Sequence, residues 1–598
     1  MSATDSIFPA RSSSGFCGSR TLPFQGNPQR GPSAVQGHPR TASEAFKATS
    51  WNSARPDVIE HRCADITILL HGEIFNAGDL RRTLDVEPET SMGHTLAAAW
   101  RQWSTDTLSR LDGVFALVVS TDDHLRLYRD PSGLRNLYFC SARPEQVAFA
   151  TDMDSMHRLP GIDRKLARRS LHEFLRFLDV SAPHTFYESV RSVEPGVCIS
   201  WSREDTELHA RPRVEHDRLS PARFADALDT LGDHLLHSVQ TRLADSTHPA
   251  AFLSGGVDSS LICALATRQR RDVTAVTVGF EGGSFDEAPV AGHIAKHLGM
   301  AHRVLRFGRR DYLAALEKLS VGMDQPMADP ATPATLLAFD YCSKSFDAVL
   351  DGTGADEAVG TMPARHVRLA VGYASALPAP ARRVMLRVLE AVPRLSDYRS
   401  ILDFDHPADT MIRWHGFTRS EIELLCGEPV SFADTQFYRT FARFRRSEHF
   451  ERYSALLNAM PCDRLNQATL VSGLRVRYPF CDRKADAFIR QLPEDWRYRK
   501  GEPKRILRAL LSRYVPQPIW DVPKHGFDFP LLEFLSGDDY ALVRRYLLQG
   551  RWLDMGLLRP DGVRAYALRF IAGDERMKFR VWALVVLAAW LEQRGDLQ

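Results

Sequence analysis

Ser254-Gly255-Gly256-Val257-Asp258-Ser259-Ser260 follows the short apolar run Ala250-Ala251-Phe252-Leu253 and leads into a helix predicted from Ser259. Strand, glycine turn and helix in that order make one βα unit. The two glycines let the chain curl tightly, the hydroxyls donate, and the helix start supplies oriented N–H groups. Together they form a cradle for a polyphosphate, pyrophosphate above all. The lysine of the G-x-x-x-x-G-K-[ST] loop is missing, so this is a different phosphate turn. The same grammar recurs twice. Val276-Thr277-Val278-Gly279-Phe280 precedes a helix near Val290–Leu298, and Ala348-Val349-Leu350 runs into Asp351-Gly352-Thr353-Gly354-Ala355-Asp356-Glu357. Such alternation predicts a parallel sheet with helices on both faces. Ligands of open parallel sheets sit beyond the carboxyl ends of the strands, so both turns are expected to face one crevice. Asp258 and Asp356 would there hold Mg²⁺ against the phosphates of ATP, with the few carboxylates that this ion prefers. Read alone, Asp356-Glu357 is an ordinary acidic helix start; coupled to the first turn it becomes a ligand pair.

Outward from this unit the chain changes character. Asp65-Ile66-Thr67-Ile68-Leu69-Leu70, Val114–Val119, Leu125–Tyr128, Leu137–Phe139 and Val147–Ala150 alternate or run apolar as strands do, with a helix near Met92–Arg101 among them. An antiparallel α+β domain is predicted over residues 56–205, and an α/β domain over 220–598 that turns mainly helical from Arg365. Residues 1–55, rich in Ser, Gly, Pro and Arg, are expected to form a disordered or loosely ordered extension.

The 598 residues are ample for two large domains, with 44% hydrophobic and 25% charged residues. A net charge of +2 gives no general push toward nucleic acid, and the longest apolar stretch, Val581–Leu591, is too short to span a bilayer. Nine scattered cysteines without a C-x-x-C pair point to reduced thiols and a cytoplasmic protein. Lys296, Arg309, Arg310 and the group Arg443, Arg445 and Arg446 read as solvated charged faces.

The motifs resemble those of the asparagine synthetase superfamily, in order, over roughly residues 65–592. Gly72-Glu73-Ile74-Phe75-Asn76 is similar to the family's N-G-E-I-Y-N. Leu111-Asp112-Gly113-Val114-Phe115-Ala116 and Arg129-Asp130-Pro131-Ser132-Gly133 resemble its next signatures. Phe285-Asp286-Glu287, Asp324-Gln325-Pro326, Asp329-Pro330, Asp463-Arg464, Arg477-Tyr478-Pro479-Phe480-Cys481-Asp482 and Lys524-His525-Gly526-Phe527 follow. The resemblance implies a glutaminase-like (Ntn-type) α+β sandwich followed by an α/β ATP-pyrophosphatase synthetase domain. It implies a reaction in which Mg-ATP adenylates a carboxylate, pyrophosphate leaves, and an amine attacks the acyl-adenylate. It makes Ser254, Gly255, Gly256, Asp258 and Ser259 nucleotide-binding residues, Leu253, Val278 and Gly352 adenine-side contacts, and Lys524 the catalytic lysine.

The departures from the family narrow the expectation. A working glutaminase half needs cysteine directly after the initiator Met; here Ser2 follows it, and Cys17-Gly18 would need a propeptide removed. His71 replaces the asparagine of N-G-E, and Ser91-Met92-Gly93-His94 stands where the family has S-D-T-E. Glutamine hydrolysis is therefore expected to be lost. Thr353 takes the place of the glutamate that serves as base toward ammonia, and Arg475 replaces another glutamate. Family branches with a dead glutaminase half close rings on an amine already in the substrate. The lasso-peptide macrolactam synthetase branch is the best match: it adenylates an Asp or Glu side chain of a precursor peptide, which the freed N-terminal amine attacks. A leader-peptide protease and a recognition protein are the partners that branch implies. The alternatives are an asparagine synthetase using ammonia, a β-lactam-forming relative, and a non-catalytic scaffold.

Overall fold

In a computed structural model, the described residues are 15–21, 46–51 and 58–594, less 64, 144–145, 203–205, 211–222, 281–285, 364, 391–401, 403, 405, 407, 410–415, 461–462, 500 and 523–528. The first half is a sandwich of two antiparallel sheets. Strands β1 (Gly15–Thr21), β2 (Phe46–Trp51), β7 (Tyr138–Arg143), β8 (Gln146–Ala150) and β9 (Arg191–Ser192) make one sheet, in the order β2-β1-β8-β7-β9. Strands β3 (Val58–Arg62), β4 (Ile66–Ile74), β5 (Gly113–Thr121), β6 (His124–Arg129), β10 (Val197–Ser202) and β11 (Thr206–Ala210) make the other, in the order β11-β10-β6-β5-β4-β3. Alternate side chains of β4, β5 and β6 split between two cores. Leu69, Ala116, Val118, Leu125 and Leu127 meet Phe139, Phe149 and Trp201 between the sheets, while Ile68, Leu70, Leu117 and Val119 pack against the helix Met92–Trp103.

The expectation for residues 1–55 needs correcting. β1 is an inner strand, with Cys17 opposite Ala150 and Gly18 opposite Phe149 on one side and β2 on the other. Phe16 and Cys17 are buried. Small residues around one aromatic suit a tightly packed inner position, but they show no apolar alternation to a reader of the sequence.

The second half is a five-stranded parallel sheet in the order β14-β13-β12-β15-β16, from β12 (Pro249–Phe252), β13 (Thr274–Phe280), β14 (His302–Phe307), β15 (Ala348–Leu350) and β16 (Val476–Arg477). β12, which leads into the serine-glycine turn, is central. Among the described residues no helix is long and apolar enough to cross a membrane.

The two halves share a hydrophobic core. The helix Lys578–Glu592 is buried from Arg580 through Leu591. It packs at once against Leu319 and Met323 of the second half and against Phe174 and Phe186 of the first, the Trp590 ring meeting Phe186 edge-on at 5.4 Å. Polar groups seal the same seam. Asp324 accepts from the Met153 backbone N–H at 2.8 Å, Asn466 Nδ2 donates to Gly133 O at 2.9 Å, and the Asp463 N–H donates to Asp179 Oδ2 at 2.9 Å.

Burial, with the nearby Asp152 charge adding to it, pushes the Asp324 carboxyl up to about 8. The unfolded chain releases this proton near pH ~4. Between those values the folded state holds a proton that the unfolded state lacks, so stability falls as pH rises through this window. One such group contributes a slope on the order of 1 kcal/mol per pH unit. Asp324→Asn is therefore expected to flatten the decline in Tm between about pH 6 and pH 8, read by thermal melts across that range.

Candidate active site

The serine-glycine turn braces itself. Ser254 N–H donates to Ser259 Oγ at 3.1 Å, Ser259 Oγ donates to Gly256 O at 3.2 Å, and Gly256 N–H reaches Ser254 Oγ at 3.4 Å. Ser259 is thereby engaged inside the turn. Gly255 has φ +74°, a left-handed conformation that glycine adopts without penalty. Gly256 then caps the helix Val257–Gln269, whose first turn carries Asp258. The helix follows the turn as the sequence predicts, starting two residues earlier than expected.

The second turn lies against the first. A Cβ added to Gly352 would fall 3.0 Å from Ser259 N and 3.2 Å from Asp258 Cβ, so a side chain here would crowd the start of the helix. Leu253 is buried, its N–H donating to Val276 O at 2.9 Å, and Val278 is half-buried on β13. Thr353 N–H and Oγ1 both donate to Asp351 Oδ1, at 2.8 and 2.5 Å. Its hydroxyl proton is engaged by a carboxylate that starts the same turn. Burial and then Asp356 push the adjacent Glu357 carboxyl up.

The two carboxylates are brought together by a residue that sequence reading missed. Lys504 Nζ stands 2.5 Å from Asp258 Oδ2 and 2.9 Å from Asp356 Oδ1. Burial alone would lower its pKa, but the two carboxylates outweigh it and hold the ammonium firmly charged. Lys504 has φ +59°, a strained choice for a residue with a Cβ, and it caps the helix Arg505–Leu511. Ile506, Leu507 and Leu510 of that helix pack with Leu261 and Leu265 of the helix that carries Asp258. The lysine is thus fixed relative to the serine-glycine turn. Lys524, taken as the catalytic lysine from sequence, lies outside the described residues.

A charged ammonium thus stands between Asp258 of the serine-glycine turn and Asp356 of the acidic turn. The profile of the asparagine synthase family ("Asparagine synthase") matches residues 230–592, more than half of the chain. The chain belongs to the asparagine synthase family. It is an ATP-dependent ligase of that family. The profile "Glutamine amidotransferase domain" matches residues 33–211, in agreement with the sandwich expected ahead of the synthetase domain. Asparagine synthetase [glutamine-hydrolyzing] 1 of Bacillus subtilis (strain 168) is 25% identical over 541 residues, 88% of this chain and 85% of that protein. A putative asparagine synthetase [glutamine-hydrolyzing] of Mycobacterium bovis is 26% identical over 556 residues, 88% of this chain and 84% of that one. Amidase chry2 of Gibberella zeae is 23% identical over 508 residues, 72% of each chain.

Proposed function

We propose that this family member forms a macrolactam, closing the ring of a lasso peptide. A peptide Asp or Glu side-chain carboxylate attacks the α-phosphorus of ATP, and pyrophosphate leaves. The peptide's N-terminal amine then attacks the acyl carbon, AMP leaves, and the amide gives up one proton. The turn of Ser254–Ser259 is suited to pyrophosphate. Asp258 and Asp356, on separate turns, supply the hard oxygen donors Mg²⁺ prefers and would hold it on the faces not turned to Lys504, whose ammonium stands where the two converge; bound there it would neutralise phosphate charge. Lys504 is the fixed positive charge beside them, suited to the charge that builds up as the α-phosphate is attacked.

The observation that carries this reading is Thr353. Its hydroxyl donates to Asp351 and offers the incoming amine no proton acceptor near neutral pH. A peptide α-amine titrates near ~8, below ammonium, so a larger share of it is unprotonated near neutral pH and it leans less on a base. The first half adds support. Cys17 is bonded on both sides within β1, and burial, then Asp152, pushes its thiol up to about 11, the reverse of an activated nucleophile. Ser91 caps a helix, accepting from His94 N–H at 3.3 Å.

The test is pyrophosphate release from Mg-ATP with two sets of substrates. One is free aspartate with ammonia or with glutamine. The other is a linear peptide with a free N-terminus and an Asp or Glu roughly seven to nine residues along, the spacing that the resemblance to the lasso-peptide branch implies, so that attack is intramolecular. Release with the peptide alone, and a product lighter by one water, is the expected result. Turnover of aspartate with ammonia would instead identify an asparagine synthetase and sink the ring-closing reading.

A further inference from the structure

Glu73 belongs to the first half of the chain, yet its carboxylate is held by the second. Arg475 Nη2 and Arg477 Nη2 each donate to Oε1 at 2.6 Å, and Arg477 Nε donates to Oε2 at 3.1 Å. The Glu73 side chain is 11% exposed and that of Arg477 2%, so these pairs stand largely out of water. Asp245 takes the far side of Arg477 at 2.6 and 3.0 Å, and the Arg242 carbonyl accepts from it at 2.5 Å. Arg242 in turn lies over the Phe75 ring at 4.3 Å, with Asp112 at 3.6 Å and Asp482 at 3.3 Å.

The two arginines have a second connection through their backbones. The Val349 N–H donates to Arg475 O at 3.1 Å, and the Asp351 N–H donates to Arg477 O at 3.0 Å. Asp351 opens the acidic turn that ends in Asp356. β16 is a two-residue edge strand, so its own ladder gives it little hold. The side chains that Glu73 grips add to the hold of the buried Val476 and of the Asp245 and Arg242 contacts to Arg477.

We propose that Glu73 is a positioning residue for the synthetase site. The first half of the chain reaches across the seam, fixes β16, and through β16 sets the place of the acidic turn relative to the serine-glycine turn. This gives the glutaminase-like half a task that needs no glutamine. It holds for any carboxylate or amine that the enzyme uses.

The test is the affinity of the full-length protein for Mg-ATP by titration calorimetry, with Tm recorded for each variant. Glu73→Gln is expected to weaken binding about tenfold. Breaking a buried pair also lowers stability, so Phe149→Leu serves as control. Phe149 is fully buried in the sandwich core, away from the clamp. It is expected to lower Tm and leave the affinity within about twofold. Arg475→Gln, at a side chain 25% exposed, keeps the test alive if Glu73→Gln does not fold, and is expected to weaken binding by about threefold or more. The double variant is expected to bind no worse than Glu73→Gln alone, because both act through one cluster. Unchanged affinity in the clamp variants, an equal loss in Phe149→Leu, or additive losses would each overturn the proposal.

Discussion

Lys504→Met is expected to slow ATP-dependent pyrophosphate release by about 10²–10³-fold, the usual cost of removing one donor from developing transition-state charge. The Met side chain fills most of the same volume, so the helix Arg505–Leu511 keeps its packing against Leu261 and Leu265. What disappears is the charge between Asp258 and Asp356. Lys504→Arg is expected to recover only part of the rate. A guanidinium fork would have to fit where a single ammonium now meets two carboxylates from different turns. Single-turnover measurements at saturating ATP separate this loss from weakened binding. A rate within about threefold of the parent in Lys504→Met would remove this lysine from the chemistry. Running Lys524→Met beside it ranks the two lysines directly.

Gly352→Val should abolish nucleotide binding by a different route, a roughly hundredfold or greater loss of Mg-ATP affinity with the circular dichroism unchanged. The neighbours of a new Cβ at this position are Ser259 N at 3.0 Å, Asp258 C at 3.1 Å and Asp258 Cβ at 3.2 Å. Two of these three belong to the backbone at the start of a helix, which cannot yield as a flexible side chain would. The acidic turn must move instead, carrying Asp356 away from Lys504. Displacing a ligating group by about 1 Å is enough for a loss of this size. Calorimetric titration reads the affinity, and an affinity within about fivefold of the parent would mean that the two turns do not act as one site.

These expectations trace back unequally to the sequence. The serine-glycine turn was legible because strand, turn and helix are contiguous and each leaves a local mark. The acidic turn was legible for the same reason, and the parallel order of the sheet put the two in one crevice. Gly352 was read as a contact for adenine, but its structural duty is to let two turns touch, a tertiary fact with no local signature. Lys504 was invisible. It arrives from 246 residues beyond Asp258 in sequence, in a segment that carries no motif, and only the packing of two helices brings it in. Lys524 drew attention instead because glycine and phenylalanine follow it. In the first half, β4, β5 and β6 announced themselves by alternation. β1 did not, because Phe16 is its one large apolar residue and small or polar residues surround it, leaving no alternation to read.

The helix Lys578–Glu592 also bears on how this molecule is made. During synthesis the sandwich emerges first, with Phe174 and Phe186 already present. The ring that covers Phe186, Trp590, is still several hundred residues from leaving the ribosome. The sandwich closes its own two cores without this helix, but the face of Phe174 and Phe186 stays uncovered until Trp590 arrives. Fragments cut before this helix are expected to expose that face and to be less soluble than the full chain.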